Sequence, residues 1–211
     1  MSTKRMILIN TVIFIVIAAI AIGGYAYYSE AANYVKTDDA KITGDLMPVT
    51  TDTAGKITDW QGTVGKTFKK GDVIGKVALP TGTKDITAPI DGTIVQNKTN
   101  NEQLVAPGQP IAQMVDRNKL YVLANIEETS LEDVNIDQDV DIQVDATSNS
   151  KIKGKVKEIG QTTNSVFSLL PADQSSGTYT KVVQRIPVKI ELDSYPEEIV
   201  PGMNATIWIH K

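Results

Sequence analysis

The sequence predicts a mainly β protein with one N-terminal transmembrane helix. Three observations support this prediction: an uncharged apolar stretch at residues 6–28, an internal repeat, and alternating apolar and polar residues in the second half of the chain. A long apolar stretch is typical of a membrane span, and alternation with a period of two is typical of half-buried strands. The 211 residues leave room for one medium domain or two small ones beyond the helix.

The N-terminal stretch is long enough to span a bilayer. As a helix, residues 6–28 would measure about 34 Å, against about 30 Å for a hydrocarbon core. Lys4 and Arg5 precede the stretch, and the first charge after it is Glu30. The positive-inside rule therefore places residues 1–5 in the cytoplasm and the rest of the chain outside.

Two small residues within this stretch are candidates for contact with another helix. Ala19 and Gly23 are four positions apart, a spacing that allows close helix approach in membranes. The alternative for the whole stretch is a cleaved signal peptide. Its apolar region would be shorter, and the exit of the stretch lacks a clean cleavage pattern.

The repeat relates residues 49–77 to residues 86–114 with a constant offset of 37 positions. Glycines pair with glycines and apolar residues with apolar residues, as in Ile57 with Ile94. Each half consists of short apolar runs between turn residues, which indicates strands. The residues that we expect at structural turns are Gly55, Gly71, Pro89, Gly92, Gly108 and Gly202.

The second half of the chain predicts a small antiparallel β-barrel over residues 117–211. Apolar residues alternate in four runs, at 120–126, 140–144, 186–192 and 203–209. A short helix is expected at 127–134, with Ser130 as its N-cap. A long polar loop at 164–181 carries apolar side chains that are candidates for partner contact: Phe167, Leu169, Leu170 and Tyr179.

The composition argues against several classes of function. The chain has no cysteine and a single histidine, His210, and its formal net charge of −4 does not favour nucleic-acid binding. Two acidic pairs, at 38–39 and 127–128, do not suggest catalysis because adjacent strand residues point apart. We therefore predict no catalytic, cofactor-binding or metal-binding residue, and no enzymatic activity.

The repeat resembles the biotinyl/lipoyl type of barrel-sandwich domain. The stretches DTAGKI (52–57) and FKKGDVIGKV (68–77) are similar to its first half, and ITAPIDGTIV (86–95) with APGQPI (106–111) to its second. The resemblance implies two interlocked halves within residues 46–116. A carrier with a modified lysine is a poor alternative, because Thr81 occupies the expected position and Lys84 is out of register.

The second half resembles the HlyD family of membrane fusion proteins, or periplasmic adaptor subunits, and within it the EmrA branch. The similar stretches lie at 120–145, 166–193 and 200–209, although Asp137 stands where the family commonly has glycine. The resemblance implies a non-enzymatic adaptor for multidrug or small-molecule efflux or secretion. Such an adaptor would be a homo-oligomer on the outer face of a membrane transporter, of the major facilitator type. The alternative is an anchored extracytoplasmic binding or envelope-assembly module that acts without a transporter.

One departure from the family concerns the join between the two repeat halves. Many members insert a coiled-coil hairpin there, whereas this chain has only residues 78–85. We expect a cell-membrane protein of a bacterium, and the short join fits either a cell without an outer membrane or a truncated accessory member of the family. The expected organisation is residues 1–5 cytoplasmic, 6–28 transmembrane, 29–45 linker and first strand, 46–116 barrel-sandwich domain (halves 49–77 and 86–114) and 117–211 β-barrel.

Overall fold

A computed structural model describes residues 3–147, 151–163 and 183–211, without the side chains of residues 3–10 and 25–31. The chain divides into two compact units. The first comprises Met1–Ala40, Ala124–Ser194 and Asn204–Lys211, and the second comprises Lys41–Leu123 and Tyr195–Met203.

The second unit contains a barrel-sandwich of eight short strands. They are β2 (Leu46–Thr50), β3 (Gly55–Thr58), β4 (Thr67–Phe68), β5 (Val73–Leu79), β6 (Gly82–Thr87), β7 (Gly92–Asn97), β8 (Leu104–Val105) and β9 (Pro110–Val115). They form two four-stranded sheets in the orders β2-β9-β7-β4 and β6-β5-β3-β8. Because each sheet takes two strands from each half of the repeat, the halves are interlocked, and the predicted mainly β fold is confirmed.

The offset of 37 residues holds in the hydrogen bonding as well as in the strands. Gly71 N–H donates to Ala88 O at 2.9 Å, and Gly108 N–H donates to Thr51 O at 2.8 Å. Both donors and both acceptors are related by that same offset. The two halves therefore share one backbone design.

The repeated apolar positions form a single core. Ile57 and Ile94 are fully buried, as are Ile74 and its equivalent Ile111, and all four belong to one cluster with Met114. Neither half could bury these side chains alone, because each sheet draws on both halves. The hydrophobic effect therefore stabilises the interlocked arrangement.

The expected turn residues behave in two different ways. Gly71, Gly108 and Gly202 have φ values of 91°, 75° and 96°, the left-handed region that favours glycine. Gly55 and Gly92 instead begin strands β3 and β7. A Cβ at Gly55 would lie 2.4 Å from Ala78 O, and one at Gly92 would lie 2.5 Å from Val115 O. At these two positions glycine permits close strand approach, so our expectation of turns there is wrong.

Six strands form the closed barrel, in the order β1-β10-β13-β12-β11-β14. They are β1 (Tyr34–Thr43), β10 (Tyr121–Glu127), β11 (Asp139–Val144), β12 (Lys151–Ile159), β13 (Arg185–Leu192) and β14 (Asn204–His210). The alternation of apolar residues in the sequence matches the alternation of buried side chains in the strands. Val122, Ala124 and Ile126 point inward and are at most 1% exposed. The barrel also uses β1, which precedes the barrel-sandwich and which the sequence-based bounds assigned to a linker and first strand.

The segment Tyr195–Met203 belongs to the second unit. The Tyr195 hydroxyl accepts from Leu120 N–H and donates to Arg117 O, both at 2.9 Å. Gly202 N–H donates to Ile42 O at 2.8 Å. A segment that is distant in sequence is thus fixed by hydrogen bonds to the end of β1 and to the connection before β10.

The helix expected at 127–134 is a 3₁₀ helix, Glu128–Asp133. Its N-cap is Glu127, and no side chain caps it by a hydrogen bond, so the expectation of Ser130 as the cap is wrong. The turn that follows contains a residue in the left-handed region, which favours glycine. Asp137 has φ 70°, and its N–H donates to Val156 O at 2.8 Å.

Helix α1 (Thr3–Asn33) includes the apolar stretch. Among the residues that the structure describes, no helix has both the length and the hydropathy that a membrane span requires.

Candidate partner-contact surfaces

The contact candidates on α1 are accessible in the isolated chain. Ala19 and Gly23 are both exposed, and a Cβ built at Gly23 would meet no atom within 4 Å. The apolar side chains around them are also uncovered, with Phe14 72% and Ile22 71% exposed. Another helix could therefore approach this face without displacing any described part of the chain.

The four contact candidates of the polar loop cannot be placed. Phe167, Leu169, Leu170 and Tyr179 all lie outside the described residues.

The join between the two repeat halves is a tight β-hairpin. Strands β5 and β6 pair up to Leu79 and Gly82, so only Pro80 and Thr81 lie at the tip. Lys84 lies within β6, and its Nζ is 2.5 Å from Asp52 Oδ2. This hydrogen bond from Lys84 lowers the pKa of Asp52 below its ordinary value of 3.8. Lys84 is therefore part of an ion pair on a strand and does not lie at the tip of the hairpin.

A charged cluster lies on β1, β10 and β13 of the barrel. Arg185 Nη1 donates to Asp39 Oδ2 at 2.5 Å, and Arg185 Nη2 lies 4.0 Å from Glu127 Oε1. Asn125 Nδ2 donates to the other oxygen of Asp39 at 3.1 Å. A cavity of about 290 Å³ beside them is lined by Lys36 and Arg185 among others. These side chains are partly exposed, so the cluster contributes little to stability, and its charges have fixed orientations at the barrel surface.

The sequence pattern does not predict this cluster, because its members are distant from one another in the chain. One residue of each acidic pair, Asp39 and Glu127, approaches the same guanidinium. Adjacent carboxylates do point apart, but strands β1 and β10 are neighbours in the barrel. The cluster could be predicted only if β1 were already known to be a strand of the barrel.

Two family models together match most of the chain. The model for the YhbJ barrel-sandwich hybrid domain matches residues 45–116, and the model for the AAEA-like β-barrel domain matches residues 119–210. The chain is also 45% identical over 209 residues to YhbJ of Bacillus subtilis (strain 168), covering 99% of this chain and 94% of YhbJ. The name of that protein describes it as a candidate component of an efflux system.

The chain belongs to the membrane fusion protein family. Members of this family are non-enzymatic structural subunits of efflux systems, which confirms the prediction that the chain is not an enzyme. The predicted resemblance to EmrA is confirmed as well, since relatives of that name match the chain, and strands β5 and β6 join the repeat halves by a short hairpin.

Other members are longer or more distant in sequence. The colistin resistance protein EmrA of Acinetobacter baumannii (strain ATCC 17978) is 34% identical over 123 residues, which cover 57% of this chain and 35% of that protein. The chain thus spans only about a third of the length of that relative. The solved periplasmic adaptor protein EmrA matches 84% of this chain and 98% of its own, with a TM-score of 0.58 and 13% identity. At that identity, the likeness supports the fold alone.

Proposed function

We propose that this membrane fusion protein is the anchored adaptor subunit of an efflux or secretion system. It would assemble as a homo-oligomer on the outer face of a transporter of the major facilitator type. The observation that supports this most strongly is the 45% identity to YhbJ across 99% of the chain. The transporter would supply the energy, and this chain would extend the exit path.

The anchor is proposed from the sequence of α1. Residues 6–28 contain no charge, and Lys4 and Arg5 precede them. Exposure of Phe14, Ile20 and Ile22 at 72%, 69% and 71% would be unfavourable in water, since a contiguous apolar surface of this kind normally meets a lipid or a protein. We propose that lipid and the helices of the transporter cover it.

The short hairpin between β5 and β6 restricts the possible partners. A tip made of Pro80 and Thr81 projects only a few ångströms beyond the strands that carry it. The chain therefore would not reach a distant outer-membrane channel through this hairpin. The proposal accordingly favours a cell without an outer membrane.

Co-purification tests the partner and the contact face together. Full-length protein is isolated from detergent-solubilised membranes of a strain that expresses it, and co-purifying proteins are identified by mass spectrometry. Gly23→Ile is expected to reduce recovery of the transporter at least about 5-fold, because a large side chain prevents close helix approach. Ala21→Ile on the opposite face is the matched control. Failure to recover any transporter with the unsubstituted protein would contradict the proposed function and favour an envelope module that acts without one.

The loop candidates and the copy number are tested in the same preparation. If the loop contacts the transporter, Phe167→Ser and Tyr179→Ser should each lower its recovery. Native mass spectrometry should give more than one copy of this chain per complex. A single copy would contradict the proposed homo-oligomer.

The chain lacks cysteine, so a single introduced thiol is the only group of this protein that a maleimide labels, and the topology can be tested with it. Ser2→Cys and Ser194→Cys introduce single thiols on either side of the proposed span. A membrane-impermeant maleimide added to intact cells should label Cys at 194 and leave Cys at 2 unlabelled until the cells are lysed. Labelling of both positions in intact cells would contradict the cytoplasmic N-terminus.

A further inference from the structure

An open groove in the second unit combines an indole with carboxylates. The groove has a volume of about 530 Å³ and is lined by Asp59, Trp60, Gln61, Val73, Lys76 and Asp85. Trp60 and Val73 provide apolar surface, and Val73 is 42% exposed. All six residues lie in the barrel-sandwich, and neither the family models nor the contact candidates point to this groove.

The Trp60 side chain is held in a fixed position. Its Nε1–H donates to Asn97 Oδ1 at 3.2 Å, and its backbone N–H donates to Asn101 Oδ1 at 2.7 Å. A Cβ on Gly62 would lie 2.3 Å from the indole, and one on Gly75 would lie 2.7 Å from it. The two glycines therefore leave the space that the ring occupies, and the ring is ordered before any ligand binds.

The second half of the repeat provides an internal comparison. At the offset of 37 residues, Trp60 corresponds to Asn97, and the two glycines correspond to Thr99 and Ala112. Thr99 and Ala112 are buried, at 2% and 0% exposure. In the second half, the positions equivalent to the two glycines thus carry small, buried side chains. Trp60 packs against the core cluster, but the equivalent half folds without an indole, so the repeat itself does not require one at this position.

The charges of the groove have no charged counterparts at the equivalent positions of the repeat. Asp59, Lys76 and Asp85 correspond to Gln96, Gln113 and Pro48, none of which is charged. Lys76 lies opposite Asp85 in the ladder of strands β5 and β6, and its Nζ lies 3.1 Å from Asp59 Oδ2. Two carboxylates and one ammonium group thus line the groove, which leaves its rim with an excess of negative charge.

Asp59 also adopts an uncommon backbone conformation. Its φ is 51°, in the left-handed region that costs a non-glycine residue free energy. Strained residues of this kind are concentrated at functional sites.

We propose that this groove binds organic cations that carry an apolar group. An indole face attracts a cation through its quadrupole, the carboxylates add Coulomb attraction, and Val73 contacts the apolar group. If the chain is an efflux adaptor, the groove would hold such compounds during export, so their role in transport rests on the proposed function. Binding itself does not depend on that function.

The test uses the full-length chain in detergent with both tryptophans replaced by 5-fluorotryptophan. The ¹⁹F spectrum then has one signal from Trp60 and one from Trp208, and Trp208→Phe assigns them. The probes are benzyltrimethylammonium, benzyl alcohol and benzylsulfonate, which share an aromatic group and differ in charge. The cation should shift the Trp60 signal saturably, with a dissociation constant at least about 5-fold below that for benzyl alcohol. Benzylsulfonate should bind more weakly still.

Charge variants make the test specific to the groove. Asp59→Asn and Asp85→Asn should each weaken cation binding about 2- to 5-fold, whereas Lys76→Gln should strengthen it by a similar factor. Glu198→Gln removes an exposed carboxylate elsewhere in the same unit and should leave binding unchanged. Equal shifts with all three probes, or insensitivity to the groove variants, would overturn the proposal.

The failure of this site and the failure of the adaptor role are distinguishable. The same variants are tested for co-purification with the transporter. If the unsubstituted protein shows no preference for the cation but still co-purifies with the transporter, the groove proposal is overturned and the adaptor role stands. If the cation binds but no transporter co-purifies, the result supports the proposal that the groove binds cations and overturns the proposed adaptor role.

Discussion

At the scale of single residues, the two repeat halves meet the same backbone requirement with different residues. Gly65 and Glu102 are equivalent positions, with φ values of 88° and 73°. Gly65 N–H donates to Ile94 O at 2.8 Å, and Glu102 N–H donates to the equivalent Ile57 O at 2.9 Å. The turn is therefore the same in both halves, but only one half has the residue that tolerates it without strain.

We predict that Glu102→Gly stabilises the protein by about 0.5–1 kcal/mol, since glycine adopts the left-handed conformation without steric strain. Gly65→Ala should destabilise the protein by about 1 kcal/mol for the converse reason. Urea unfolding of the full-length protein measures both changes. Because Glu102 also pairs with Lys56, the control is Lys56→Gln, which should change stability by less than about 0.5 kcal/mol. A loss of stability in Glu102→Gly would contradict the prediction.

Asp52 supplies a prediction about pH. The hydrogen bond from Lys84 lowers the pKa of Asp52 in the folded protein, so the unfolded chain binds the proton more tightly. The contribution of the pair to stability is therefore present above pH about 3.8 and is lost as the pH falls through the lowered pKa. Lys84→Gln should raise the pKa of Asp52 toward its ordinary value in an NMR titration, and Lys76→Gln should leave it unchanged. An unaltered Asp52 titration in Lys84→Gln would show that another group holds the pKa down.

At the scale of elements, sequence periodicity was informative where one face of a strand is buried. The offset of 37 residues predicted equivalent strands, and Ile57 with Ile94 shows why: apolar residues recur where both halves fill one core. Periodicity carried no information about pairing between distant segments. It therefore missed that β1 closes the barrel, that Asp39 meets Arg185, and that Gly55 and Gly92 lie against neighbouring strands rather than in turns.

The hairpin between β5 and β6 should accept a long insertion. Ten glycine and serine residues placed between Pro80 and Thr81 lengthen an exposed tip, and loop-closure entropy predicts a loss of about 1–2 kcal/mol. The same insertion between Gly55 and Lys56 interrupts β3, which pairs with both β5 and β8, and should abolish folding of the barrel-sandwich. Near-ultraviolet circular dichroism and urea unfolding distinguish the two variants. Equal damage from both insertions would mean that the tip is not a permissive site.

At the scale of the whole molecule, sequence order and domain order differ. The barrel is closed by β1, which comes before the barrel-sandwich, and by β14 at the other end of the chain. The barrel-sandwich is thus an insertion between two neighbouring barrel strands. A Cβ at Gly44 would lie 2.9 Å from the Leu120 side chain, so the points at which the chain leaves and re-enters the barrel are close together.

This arrangement predicts which fragments fold. Residues 117–211 alone lack β1, so β10 and β14 would have unpaired edges and the barrel interior would be open to water. We expect that fragment to show no cooperative unfolding. A chain of residues 33–211 in which 45–116 are replaced by four glycine and serine residues restores β1 next to β10 through a short connection, as in an ordinary hairpin. It should unfold cooperatively in urea and show dispersed amide signals by NMR. Cooperative folding of 117–211 without β1 would contradict the closed barrel, because the sixth strand would then be dispensable.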